Sequence, residues 1–336
     1  MPILIRSASL RHYDQVAREL ELDHRAMLRE FGLPPSCLGE LELRIPIAAV
    51  RALLEATAER TGCESVGLRM AQLRHLSDVG PMGLLVRQQP SLRAALDALI
   101  RHNRQINEAI VLVLEDCGPW VVLREELVTG AAGPVRQATE LLVAVVFRLL
   151  RSFLGPAWVP ARVCFAHEAP HDRRLHDKFF GCRVEFGHIF NGLVIARAEL
   201  DTPNPDPDPG LALLAATMLG SAPPLNAPFA RTVREIIVLL LAQGACTVER
   251  AAAHLGVDRR TIHRRLERER QTFSGLVDET RFELAERYLA SAAHSLSEIS
   301  GLLGFAAPSG FSRWYRQRTG RAPSQSRGAA RGRSPA

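Results

Sequence analysis

The chain has 336 residues, 47% of them hydrophobic and 23% charged, with mean hydropathy near zero. That length suits roughly two domains of 100 to 200 residues each. The composition is that of a folding globular chain and excludes collagenous and low-complexity classes. The net charge of +6 is unevenly spread: from residue 226 onward there are 18 Arg, no Lys and 10 acidic residues, giving +8, whereas the first 225 residues carry −2. A polyanionic partner therefore meets the C-terminal third.

In chain order, Ile47 to Arg60 carries apolar residues at 47, 50, 53, 54 and 57/58, which predicts a helix. Ser91 to Ile100 repeats the stripe with Ser91 as N-cap. Ile110 to Leu114 and Trp120 to Leu123, separated by Glu-Asp-Cys-Gly-Pro, predict a β-hairpin. Pro134 to Leu154 predicts a long apolar helix. Arg162 to Phe165, Arg183 to Phe186 and Leu193 to Ala196 are predicted strands, with Asp172 to Phe180 helical between the first two. The fold class expected for this part is α+β, with helices packed on a small, largely antiparallel sheet.

Prolines from Asp201 to Gly210 and again from Ser221 to Pro228 interrupt regular structure, with a short helix, Leu211 to Leu219, between them. The expected domains are 1–220, a linker at 221–228, an all-helical domain at 229–327 and a disordered basic tail at 328–336. Beyond the linker every predicted element is helical: Phe229 to Ala242, Val248 to Leu255, Asp258 to Glu269, Phe273 to Ser291, Ser297 to Leu303 and Pro308 to Thr319.

The C-terminal part contains an internal repeat. Val248, Ala251, Ala252, Leu255, Gly256 and Val257 are echoed 48 residues later by Leu296, Ile299, Ser300, Leu303, Gly304 and Phe305. Each copy reads as a helix, a glycine corner and a second helix, the helix-turn-helix that presents its second helix to the DNA major groove. Asp258 is the expected cap of the first recognition helix and Pro308 the first residue of the second, while Ser295 and Glu298 form a capping box.

On the first recognition helix Ile262 and Leu266 point inward, so Arg259, Arg260, His263, Arg264 and Arg268 populate the other faces. Arg260, His263 and Arg264 share one stripe and are candidates for base edges. Arg259, near the helix N-terminus, suits a phosphate equally well. On the second, Phe311 and Tyr315 point inward and leave Ser309, Ser312, Arg313 and Arg316 available, with Trp314 expected in the core. The connecting helix buries Phe273, Leu276, Val277, Thr280, Leu284 and Tyr288, and a rigid helix there sets the two units about one DNA turn, roughly 34 Å, apart.

Residues 229 to 327 resemble the DNA-binding domain of the AraC/XylS family of bacterial transcription regulators. The likeness rests on Ala251-Ala-Ala-His-Leu-Gly-Val-Asp-Arg-Arg-Thr-Ile-His-Arg-Arg-Leu266, Phe282-Glu-Leu-Ala-Glu-Arg-Tyr-Leu289, Ile299-Ser-Gly-Leu-Leu-Gly-Phe305, Pro308-Ser-Gly-Phe-Ser-Arg-Trp-Tyr315 and Thr319-Gly-Arg-Ala-Pro-Ser324. It implies an all-α domain of two helix-turn-helix units joined by a long helix, with base-reading sites at Arg260, His263 and Arg264 and at Pro308, Ser309, Ser312 and Arg313. Family members usually carry alanine where this chain has Ser300, and a polar cap where it has Ala307.

The N-terminal part is similar to the arabinose-binding-like sensor domain of the ornithine-utilisation-regulator subgroup. The residues concerned are Gly80-Pro-Met-Gly-Leu84, Pro90-Ser-Leu-Arg-Ala-Ala-Leu96, Phe165-Ala-His-Glu-Ala-Pro-His-Asp172, Phe179-Phe-Gly-Cys-Arg-Val-Glu-Phe186 and Asn191-Gly-Leu-Val-Ile195. The likeness implies effector control and self-association without naming the ligand.

The expected function is a sequence-specific DNA-binding transcriptional regulator under a small-molecule effector, an activator or a repressor acting as a homodimer on promoter or operator DNA, with RNA polymerase a candidate partner. Two alternatives stand beside it: a constitutive dimeric regulator without a ligand, and a ligand-processing domain fused to a DNA module. His167, His171, His176, Cys182 and His188 match no closed zinc spacing, so no metal is expected. Phosphate-binding glycine loops are absent, and nothing fixes Cys117, His167 and Asp172 as a catalytic set, so neither cofactor nor enzymatic activity is expected. Six scattered cysteines and the lack of a signal segment or a long apolar run lead to the expectation of a cytoplasmic protein off the membrane.

Overall fold

The structure, a computed structural model, describes residues 3–107, 109–129, 133–220, 229–242, 244, 246–255, 257–290 and 294–331. Apart from the short stretch 131–133, the chain forms two compact units that divide between Leu225 and Asn226. The expected linker, 221–228, lies outside the described residues, as does Gly256.

The N-terminal unit is α+β. Its elements are β1 (Leu4–Arg6), α1 (Tyr13–Glu19), α2 (His24–Glu30), β2 (Arg44–Pro46), α3 (Ile47–Thr61), α4 (Val66–Leu73), α5 (Pro81–Arg87), α6 (Leu92–Ile106), β3 (Ile110–Cys117), β4 (Trp120–Leu127), α7 (Arg136–Leu154), β5 (Arg162–Cys164), α8 (Arg174–Phe180), β6 (Arg183–Glu185), β7 (Gly192–Ala196) and α9 (Pro209–Gly220). β1 and β2 form a separate antiparallel pair, and the other five strands make one sheet in the order β3-β4-β7-β5-β6. Every pair in that sheet is antiparallel except β5 with β6, which α8 joins as a crossover. The β3–β4 turn has two residues, and Gly118 at φ +73° takes its left-handed corner.

α7 organises this unit. Twelve of its nineteen residues are buried, and α3 and α4 pack along it. The contact with α4 is close because position 67 is glycine. The strands exceed the sequence expectation, since the hairpin ladder continues to Cys117 and Leu127, and α6 runs six residues past Ile100.

The C-terminal unit is all-α: α10 (Phe229–Ala242), α11 (Val248–Leu255), α12 (Arg259–Arg268), α13 (Phe273–Ala290), α14 (Leu296–Leu302), α15 (Pro308–Thr319) and α16 (Pro323–Arg331). One core collects Val233, Ile237, Leu241, Ala251, Ile262, Leu266, Leu276, Leu284, Tyr288, Ile299, Leu303, Phe311 and Tyr315. The helix α16 corrects the expected start of a disordered tail at 328, because it continues to Arg331; residues 332–336 lie outside the described residues. α16 packs on α13, and Arg327 donates from Nη2 to the His294 carbonyl, which ties the helix to the loop before α14.

Candidate DNA interface and effector cavity

The two helix-turn-helix units are α11–α12 and α14–α15, with α13 between them; its eighteen residues make a rod about 27 Å long. α12 starts where Asp258 accepts a hydrogen bond from the Thr261 N–H at 2.7 Å and another from its hydroxyl at 3.1 Å, which hold the Asp258 carboxyl below its usual range. α14 starts with the reciprocal box: Ser295 N–H donates to Glu298 Oε2 at 2.6 Å, and Glu298 N–H donates to Ser295 Oγ at 3.2 Å. α15 opens with Pro308, and Ala307 supplies no side-chain cap. Gly304 sits at φ +72°, a left-handed corner that favours glycine, and a Cβ there would also crowd the Leu241 carbonyl at 3.3 Å.

These constraints aim α12. Ile262 and Leu266 are fully buried, while Arg259, Arg260, His263, Arg264 and Arg268 are all exposed. Arg259 Nη1 reaches Glu249 Oε1 at 3.3 Å. Arg260, Arg264 and Arg268 form no ion pair among the described residues, so the stripe 260, 263, 264 keeps its donors available. Arg265 stands apart from that stripe, with its guanidinium 5.0 Å from the ring of Phe229.

On α15 Phe311 and Tyr315 are buried, Pro308, Ser309, Arg313 and Arg316 are exposed, and Ser312 is half-buried. Ser309, Ser312, Arg313 and Arg316 follow the i, i+3, i+4, i+7 spacing of one stripe. Trp314 packs against Phe305 and Phe311, and its Nε1 donates to Asp278 on α13. Arg318 pairs with the same carboxylate and lies over the ring of Phe282. Asp278 thus fastens α15 to the rod, a role that no local sequence pattern announces.

A second unforeseen device is Glu269. Its carboxylate accepts the backbone N–H groups of Phe229 and Ala230, the latter at 2.8 Å, so the end of α12 caps the start of α10.

The N-terminal unit encloses a cavity of about 120 Å³, walled mainly by aliphatic side chains of α3, α6 and α7 such as Val50, Leu54, Leu99, Leu142 and Val146. Its polar lining includes Arg6, Ser9, Arg74, Asp78 and Asn103. Asp78 accepts the His75 N–H at 2.9 Å, faces Arg11 at 3.1 Å and His12 at 3.0 Å, and is held below the usual carboxylate range against the opposing effect of burial. Asn103 Nδ2 donates to the Ile110 carbonyl at 2.8 Å. Burial brings Arg74 down to about 10.

The histidine-rich stretch divides among separate partners. Glu140, fully buried on α7, faces His176 Nε2 at 3.1 Å, His167 Nε2 at 3.4 Å and Arg136 Nε at 3.2 Å. Burial lowers the His167 pKa despite that carboxylate. His171 stands on Glu64 at 3.2 Å. Cys164, Glu185 and His188 are the one group among the described residues able to hold a metal ion, with ligand atoms within 4.8 Å of one another. Sequence spacing singled out only His188 of these, because β5 and β6 bring Cys164 and Glu185 opposite each other. Cys117 is exposed on the hairpin and Asp172 is held by Arg174, so Cys117, His167 and Asp172 form no described contact with one another. No described helix is long and apolar enough to cross a membrane.

Comparison with known proteins agrees with this layout. Residues 22–204 match the arabinose-binding domain of AraC transcription regulators, and residues 251–329 match a helix-turn-helix domain. The chain is 30% identical over 328 residues, 96% of each protein, to the HTH-type transcriptional regulator VirS of Mycobacterium tuberculosis. It is 26% identical to the ornithine utilization regulator of Pseudomonas aeruginosa, covering 93% of this chain and 92% of that one. The crystal structure of the transcriptional regulator CdpR from Pseudomonas aeruginosa aligns with 92% of this chain and 96% of that one, at a TM-score of 0.41 and 17% identity. An arabinose-binding-type domain followed by a paired helix-turn-helix unit, matched nearly end to end by such a relative, means that this chain belongs to the AraC family of DNA-binding transcription regulators.

Proposed function

We propose that the chain reads promoter DNA with both helix-turn-helix units of one subunit, placed in successive major grooves on one face of the duplex. Arg260, His263 and Arg264 take base edges, and Arg259 and Arg268 hold phosphates. On α15, Pro308, Ser309, Ser312 and Arg313 approach bases while Arg316 faces the backbone. The observation that carries the reading is the exposed, unpaired stripe on α12, repeated at the same helical spacing on α15.

The N-terminal unit senses a small molecule in its aliphatic cavity and associates with a second copy. α9 supports the association, since Leu213, Leu214 and Met218 are 70%, 52% and 52% exposed on it. Effector binding shifts the balance between DNA-competent and incompetent states, activates transcription through RNA polymerase, and involves no catalytic step. The setting is the cytoplasm.

The test is selection of genomic fragments bound by the full-length protein, followed by footprinting. Protection of two adjacent major grooves per subunit, on one face, is the expected result. Protection of a single groove overturns the two-unit reading, and binding that no small molecule alters points to the constitutive regulator.

A further inference from the structure

The cavity contains more positive charge than its own carboxylates neutralise. Arg6 is paired, with Nε donating to Glu42 Oε2 at 2.8 Å, and Asp78 is already occupied by Arg11, His12 and the His75 backbone. Arg74 is left over. Its Nη2 donates to the Ala8 carbonyl at 3.1 Å and to the Ser9 carbonyl; Asp78 attracts it from beyond ion-pair distance, no carboxylate among the described residues forms an ion pair with it, and its buried Nε has no acceptor among them. Ser9 lines the same cavity, and its buried hydroxyl is also without a partner. A guanidinium donor and a hydroxyl, both shielded from water and both unused, are costly to a protein unless an acceptor arrives.

Most of the rest of the wall is aliphatic: Ile47, Val50, Leu54, Leu141, Leu142 and Val146 offer no hydrogen bonds, while the lining amides of Asn103 and Asn107 are each engaged by a backbone group, the Ile110 carbonyl and the Ala109 N–H. A polyhydroxylated sugar would bury hydroxyls unpaired against them, and an amine would meet the charge of Arg74 and Arg6. The volume, about 120 Å³, is on the scale of cavities that take one aromatic ring.

Resting on the reading of this cavity as the effector site, we infer that its ligand is a monocarboxylic acid with a compact apolar body, an aromatic acid or a short aliphatic one. The carboxylate accepts from Arg74 Nε and Ser9 Oγ, and the hydrocarbon fills the space between α3 and α7.

The experiment is a thermal-shift titration of the full-length protein with benzoate, phenylacetate and hexanoate, against benzyl alcohol, hexanol, benzylamine and arabinose. The acids raise the unfolding midpoint in a dose-dependent manner, and the neutral and cationic probes do not. Ser9→Ala removes a hydroxyl that bonds to nothing among the described residues, so it folds normally and weakens the acids about tenfold. Arg74→Gln abolishes their effect, and Val146→Phe, which fills the cavity, does the same without touching either donor. Shifts by alcohols, amines or sugars in place of acids, lost in Val146→Phe, overturn the ligand class and leave the effector site standing. Acid shifts that survive both Ser9→Ala and Val146→Phe overturn the class and the site together, and so does the absence of a shift with any probe.

Discussion

A Cβ on Gly67 would stand 2.0 Å from the carbonyl oxygen of Gln137, so α4 and α7 touch backbone to backbone at this point. Gln137 reinforces the contact by accepting the Gly67 N–H at 3.0 Å through Oε1 and donating to the Glu64 carbonyl at 3.0 Å through Nε2. Gly67→Ala forces two buried helices apart, and a loss of about 3 kcal/mol is expected from overpacking at a position that cannot yield. Urea unfolding of the wild type and variant, followed by circular dichroism, measures it; a loss under about 0.5 kcal/mol would show that the helices separate freely.

Ser300 presents the opposite case. It is buried in α14, and its hydroxyl has no hydrogen-bond partner among the described residues. Ser300→Ala removes an orphan polar group and improves helix propensity, so the C-terminal unit gains about 1 kcal/mol. Calorimetry of the full chain should show its transition moving upward. A downward shift means that the hydroxyl is bonded in solution.

Glu55 gives the N-terminal unit a pH response. Burial, opposed by the Gln137 N–H and joined by the nearby Glu140, pushes it up to about 7 from its ordinary 4.5. Between these values the unfolded chain gives up the proton and the folded chain keeps it. The stability tied to the protonated form is therefore complete below about pH 4.5 and is lost as pH rises through about 7, an effect on the order of 3 kcal/mol. Glu55→Gln keeps an oxygen for the Gln137 N–H and flattens this part of the profile, gaining stability above pH 7. Glu125, buried and likewise raised well above its ordinary value, retains some slope. Melting temperatures from pH 4.5 to 8 decide the matter, and parallel profiles for wild type and variant would exclude Glu55.

These buried groups mark the limit of what the sequence shows. The helix-turn-helix repeat was legible because each turn of α11, α12, α14 and α15 places its apolar residues within one helical period, and because Asp258, Ser295 and Pro308 start helices by purely local chemistry. The β3–β4 hairpin was legible through its two short apolar runs, Ile110 to Leu114 and Trp120 to Leu123, on either side of a segment containing Gly118. β1 and β2 escaped notice because each has only three residues and they pair across about forty positions. α4 escaped because it has eight residues and no side-chain cap at Ser65. Arg74, Glu140 and Asp278 acquire meaning only from partners far away in sequence, as with Glu140 and His176 or Asp278 and Trp314. Periodicity identifies which face is buried and leaves open which charges are buried with it.

Base reading and phosphate holding on α12 separate by their thermodynamic signatures. Arg264 lies in the exposed stripe with Arg260 and His263, whereas Arg259 stands at the first turn, paired at 3.3 Å with Glu249. A base-edge arginine discriminates between sequences, so Arg264→Ala is expected to cost about 1 to 3 kcal/mol on the cognate site, with little change on DNA altered at the contacted base pair. A phosphate arginine acts on every sequence alike. Arg259→Ala should weaken cognate and altered sites equally and reduce the slope of log affinity against log salt by about 1, offset in part because the Glu249 pair must open before the side chain reaches DNA. Anisotropy titrations of both variants on two operators at several salt concentrations make the comparison. Uniform weakening by Arg264→Ala would remove it from the base-reading stripe, and altered base preference in Arg259→Ala would bring that residue into it.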